Sequence, residues 1–123
     1  MRAWVLAVLL AVAISLAPAE ALADVRTSGS CSGGSGDYRL EVQREDRNSL
    51  RVRFEIEAEG AGERWQVFVS DNGVRVLART RYSNNNGDLR VRIEIADRAG
   101  TDRISASAAN LDDGETCGGS VRF

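Results

Sequence analysis

Two cysteines and several short groups of carboxylates are the residues of this chain with chemistry to offer. Cys31 and Cys117 do not read as metal ligands, because the sequence contains no His and no further Cys to complete a site. An even pair in a chain bound for an oxidising compartment reads as a disulfide. Glu55 and Glu57 are spaced for acid–base work, but they share the exposed face of a strand with arginines, which lower a carboxyl pKa rather than raise it. The run Ser83-Asn84-Asn85-Asn86-Gly87-Asp88 has alternating polar residues before a glycine, as calcium loops do. It lacks an acid at its first position and a bidentate Glu at the required distance, so it reads as a solvated turn. Asp112-Asp113-Gly114-Glu115 carries three carboxylates on one short tip, too few ligands for a cation, and again reads as a turn. No nucleophile elbow and no phosphate loop appear. The expectation is a protein with no catalytic residue, no metal and no cofactor.

Contact chemistry is the remaining option, and it depends on how the strands are placed. Asn72-Gly73 is the strongest turn signal in the chain, a two-residue type I′ hairpin joining Arg64 to Ser70 with Val74 to Tyr82. Centred on that turn, paired residue numbers sum to 145. Val69 then faces Val76 and Val67 faces Ala78 on the inner side, with Trp65 beside Thr80. The same register sets Phe68 opposite Leu77 on the outer side, among Gln66, Arg75 and Arg79. Two large apolar side chains on a polar face read either as an ordinary cross-strand pair or as a binding surface built from Phe68, Leu77, Arg75 and Arg79. A protein partner is expected over a sugar, since carbohydrate faces use several exposed aromatics and this one offers Phe68, with Tyr82 only if its parity reverses.

The elements that position these residues are strands. Leu50 to Glu59 alternates Leu50, Val52, Phe54, Ile56 and Ala58 with Arg51, Arg53, Glu55, Glu57 and Glu59, the signature of a half-buried strand. Leu89 to Ala96 repeats the pattern. Paired antiparallel with numbers summing to 147, the two set Arg53 against Glu94, Glu55 against Arg92 and Glu57 against Arg90, a complementary ladder that predicts the register. Asp37 to Gln43, Arg103 to Asn110 and Thr116 to Phe123 alternate likewise. With the hairpin these make seven strands and no helical period. The fold expected for 37–123 is an all-β, immunoglobulin-like antiparallel sandwich, with strands one, two and five in one sheet and three, four, six and seven in the other. The pair of cysteines links the regions of the first and last strands, not the second and sixth as in antibody domains.

Upstream, Arg2, the apolar run Ala3 to Ala17 and Ala21-Leu22-Ala23 have the form of a secretory signal peptide cleaved after residue 23. The apolar run is short for a membrane span, so the mature form is expected to have none and to be secreted. Residues 24–36, rich in Ser and Gly, read as a flexible leader tied down at Cys31. Net charge is −2, and removing Arg2 with Glu20 leaves it there. With arginines interleaved among acids, nucleic acid is not an expected partner; the oligomeric state is left open.

The runs GERWQVFVSDNGVR (62–75), DRAGTDRISASAAN (97–110), GETC (114–117) and the terminal SVRF resemble a group of small secreted actinobacterial proteins. The resemblance covers most of the mature chain and implies export, the sandwich and the disulfide; it implies no activity. AGTDRISASA also resembles the penultimate strand of bacterial immunoglobulin-like adhesion modules. Two functional readings follow: a secreted, non-enzymatic binding module for a protein or cell-envelope component, or an accessory envelope protein with no dedicated ligand.

Overall fold

The computed structural model describes residues 24–123, and the expected signal peptide, 1–23, lies outside them. Eight strands follow one another: β1 (Val25–Ser30), β2 (Asp37–Arg44), β3 (Ser49–Glu57), β4 (Arg64–Asp71), β5 (Val74–Tyr82), β6 (Asp88–Ala96), β7 (Arg103–Asn110) and β8 (Thr116–Arg122). They form two antiparallel sheets, β1-β2-β3-β6 and β5-β4-β7-β8. No helix occurs among the described residues, and so none long and apolar enough to cross a membrane. The division of the seven expected strands between two sheets is the one observed.

The eighth strand corrects the reading of 24–36 as a leader held only at Cys31. Val25–Ser30 pairs with β2 from Val25↔Val42 to Ser30↔Asp37. Its Ser, Gly and Thr side chains carry no apolar alternation to announce a strand. As an edge strand it needs little from them, because backbone pairing to β2 and packing over β8 hold it. Cys31, next in the chain, is bonded to Cys117 of β8 with Cα atoms 4.4 Å apart. Ser32 and Thr116 exchange two backbone hydrogen bonds beside the disulfide, of 2.7 and 2.9 Å. The sandwich is thus closed along its β1/β8 side. Along the opposite side β5 and β6 barely meet.

Period-2 alternation builds the core as expected. Leu40, Val42, Leu50, Val52, Phe54 and Ile56 from one sheet pack with Trp65, Val67, Val69, Ile104, Ala106 and Ala108 from the other. Each large side chain so buried contributes about 1.5–3 kcal/mol.

Two registers differ from expectation. Between β3 and β6 paired numbers sum to 145, not 147: Leu50 faces Ile95, Ile56 faces Leu89, and Arg53 faces Arg92. The complementary ladder is therefore not formed as such. In the 147 register Leu50 would lie opposite Asp97, outside β6, whereas the observed one gives Leu50 and Leu89 apolar partners and buries both. Apolar burial outweighs exposed charge pairs worth a few tenths of a kcal/mol. On its other side Arg53 faces Glu41 of β2, which offsets the like charge.

Between β4 and β5 the turn-centred register holds only for Asp71↔Val74 and Ser70↔Arg75. A bulge between Val69 and Ser70 then shifts the pairing, so that Val69 faces Leu77 and Phe68 faces Ala78. The expected Phe68–Leu77 pair is absent, because the extra residue, Val76, reverses the parity of everything beyond it. Val76, expected inside, is 37% exposed, and Val74 beside the turn is 50% exposed.

Candidate functional site

The bulge distributes the four candidate contact residues over two faces. Phe68 lies half-buried on the outer face of its sheet, and the Arg75 guanidinium carbon stands 4.1 Å from its ring centroid. Such a stack of cation on aromatic face is favourable in itself and needs no partner. Leu77 turns inward and packs against the core. Arg79 follows it on the inner parity, opposite Val67, as does Arg81 opposite Trp65. Phe68 and Arg75 are therefore together, while Leu77 and Arg79 belong to the other side of β5.

That other side is where the sandwich is open. Eight of the nine residues of β5 are exposed, Leu77 alone being half-buried. Inner-facing positions on β4 are fully covered, yet the same parity on β5 carries Arg79 and Arg81, since no strand of the facing sheet covers them. Beside them a cleft of about 410 Å³ opens between β5 and β6, lined by Thr80, Arg81, Tyr82, Asn84, Leu89 and Arg90 with Asp88. Tyr82 is 66% exposed there. A shallower depression of about 370 Å³ lies on the outer face, where Phe68 stands among Ser105, Ser107, Gly118 and Ser120. The bulge moves Arg81 to the inner parity and Tyr82 to the outer one opposite Arg64, the reversal on which the exposure of Tyr82 depended; no residue between Arg64 and Tyr82 announces a bulge in advance.

Of the carboxylate groups weighed for chemistry, Glu57 is exposed and most of the others hold local structure together. Asn84 Oδ1 accepts the backbone N–H of Asn86 and of Asp88, each at 2.9 Å, which makes 83–88 a capped turn. Asp112 Oδ2 accepts the Arg64 N–H at 2.7 Å, and its carboxyl is held below the usual range by that bond and by the Arg64 guanidinium. Glu115 is buried and its Oε2 accepts the Gly36 N–H at 2.9 Å. Glu55 has Arg39 at 4.0 Å.

One carboxylate group escaped the sequence reading. Asp71 and Asp102 are both 1% exposed, and Asp71 Oδ1 and both Asp102 oxygens have no hydrogen-bond donor. They form the last inward-facing layer at one end of the sandwich, together with Asp97, which is ion-paired to Arg44 at 2.7 Å. Burial first, then the adjoining Asp97 and Asp71 carboxylates, push the Asp102 carboxyl up to about 7. The signal was parity: Asp71 continues Trp65, Val67 and Val69, and Asp102 precedes Ile104, Ala106 and Ala108. Among the described residues no three potential ligands are placed to hold a metal ion. Asp102 is thus the group of this layer most ready to hold a proton, and its side chain is buried.

Compared with known proteins, the chain matches no family model, no curated protein and no solved structure.

Proposed function

We propose that this chain is a secreted, non-enzymatic binding module that engages its partner along β5 and the open side of the sandwich. The observation that carries the reading is β5 itself, a nine-residue strand with one neighbour and eight exposed residues. An edge this long presents unpaired backbone groups to any chain of matching chemistry. The strand order β2-β3-β6 against β5-β4-β7-β8 supports an immunoglobulin-like reading of the sandwich, with β1 added at one edge. The disulfide accords with an extracellular location, as does the signal-like sequence at 1–23.

The test is capture from the producing organism's culture supernatant and envelope fraction by immobilised 24–123. Three baits are compared: the native domain, the Arg79→Glu/Arg81→Glu variant and Phe68→Ser. A partner held by the native domain and by Phe68→Ser, and lost from the double variant, supports β5. Equal capture by all three removes β5 from the reading. Capture of nothing by any of them favours an accessory envelope domain without a dedicated ligand.

A further inference from the structure

We propose that β5 takes up, by strand addition, an extended polypeptide with acidic residues at alternate positions. The proposal rests on the binding-module reading above and names the partner's chemistry.

Strand β5 contains Arg75, Arg79 and Arg81 and no acid, in a chain whose net charge is −2. Arg75 is committed to Phe68 on the outer face. Arg79 and Arg81 are two residues apart on the other face, and among the described residues neither forms an ion pair. Along a strand that spacing places both guanidinium groups in one row. A new strand hydrogen-bonded to the free edge would bring its own alternate side chains directly opposite them, at the 4.5–5.5 Å Cβ separation typical of cross-strand pairs. Acids at two consecutive same-face positions complete both rungs. Beyond them, the cleft beside Arg81, Tyr82 and Arg90 receives one further side chain.

The geometry argues against a second copy of this chain. A β5 edge against another β5 brings no acid to the arginines in any register. The free edge of β6 offers Asp88, Arg90, Arg92 and Glu94, a mixture with no acidic row. The edge strand β1 carries Arg26 and no acid. Charges pointing inward on an edge strand also guard it against indiscriminate pairing. Here guarding and selection are one device: the arginine row rejects an apolar or basic strand and accepts an acidic one.

The probe is an acetylated, amidated peptide, TEVEVEVT, compared with its Lys-for-Glu counterpart and with polyglutamate, which shares the charge without the strand propensity. Amide hydrogen exchange and fluorescence anisotropy are read on 24–123. Support is binding of TEVEVEVT with exchange slowed at least tenfold at free-edge amides of 74–82, and affinity at least tenfold weaker in Arg79→Glu/Arg81→Glu. A second probe, the peptide TEVEPEVT, separates pairing from charge, since it keeps all three acids and its proline cannot sit within a paired strand. It should bind at least tenfold more weakly than TEVEVEVT and leave the β5 amides unprotected; equal binding of the two peptides would overturn strand addition. Equal binding of polyglutamate with no protection of β5 amides would reduce the site to non-specific charge and overturn the proposal. So would Arg-dependent binding of an anionic polysaccharide, such as polygalacturonate, without binding of the peptide. A partner captured through β5 that displays no acidic extended segment would overturn it too, while leaving the binding-module reading intact.

Discussion

Arg44 Nη1 lies 2.7 Å from Asp97 Oδ2, and this ion pair leaves the adjoining carboxyls of Asp71 and Asp102 without a cation. Asp102 is the group that adjusts, its carboxyl pushed up to about 7 by burial and by the two neighbouring acids. Asp97 moves the other way, lowered by the bond from Asp102 and by Arg44.

A stability maximum on the acid side of neutrality follows. Between its unfolded pKa, near 4, and about 7, Asp102 is protonated in the folded state and ionised in the unfolded one. Its contribution is thus fully present below about pH 4 and lost as pH rises through 7. Asp97, with a lowered pKa, contributes above about pH 4 and loses that contribution in stronger acid. Melting temperatures measured from pH 4 to 8 should fall steadily toward pH 7 and then level. Asp102→Asn, whose amide supplies donors without titrating, should flatten that decline and exceed the native protein at pH 8. A native profile level from pH 5 to 8 would show that Asp102 holds no proton.

A ring clamped by two glycines gives the second prediction. A Cβ on Gly119 would lie 2.8 Å from Tyr38 Cε2 and one on Gly29 3.0 Å from Tyr38 Oη, so β1, β2 and β8 meet around this ring. Gly119→Ala should destabilise by about 1–3 kcal/mol, as overpacking does. Tyr38→Ala should relieve most of that, and a double-mutant cycle in urea should return a coupling above about 1 kcal/mol. Additive effects would mean that the added methyl group is accommodated by a backbone shift instead.

These contacts show why the fold was more legible than its details. Alternation such as Leu50, Val52, Phe54 and Ile56 is dictated by burial of one face, so the strands and their division between sheets could be read directly. Register is a finer quantity. The Arg53↔Arg92 rung is tolerated because its alternative would forfeit the apolar partners of Leu50, and exposed charges are too weak to object. The bulge at Val76 has no local signature, and it alone decides whether Leu77 and Arg79, or instead Ala78 and Thr80, share the face of Phe68. Strand β1 was silent because backbone pairing, not side-chain burial, holds it. Asp71 and Asp102 were visible in principle, as polar residues at inward parity.

Two glycines with nearly equal backbone angles should respond unequally to substitution. Gly87 and Gly73 have φ of +83° and +82°. A Cβ on Gly73 meets nothing within 4 Å, but one on Gly87 falls 2.3 Å from the Ala58 carbonyl oxygen. Gly73→Ala should cost only the left-handed backbone strain, about 1–2 kcal/mol. Gly87→Ala adds a collision with main chain that cannot rotate away, and should cost about 2–5 kcal/mol. Chemical denaturation of the two variants measures the difference; equal losses would mean that the Ala58–Gly87 approach relaxes freely.

The last prediction concerns what anchors β1. The disulfide joins residues 86 apart, and closing so long a loop removes freedom from the unfolded chain worth about 4–5 kcal/mol on the chain-entropy model. It also sits at the end of β1, where Ser32↔Thr116 pairing and the Glu115–Gly36 bond already join the same two regions. Cys31→Ser/Cys117→Ser should therefore lower global stability by several kcal/mol in urea while β1 keeps its register. Amide exchange should then show Val25–Ser30 opening more readily than β3 or β4, because two of its supports are local hydrogen bonds and the covalent one is gone. A loss below about 1 kcal/mol would mean that these hydrogen bonds persist in the unfolded ensemble or that β1 does not contribute to the cooperative unit. The exchange rates of β1 relative to the core would distinguish the two.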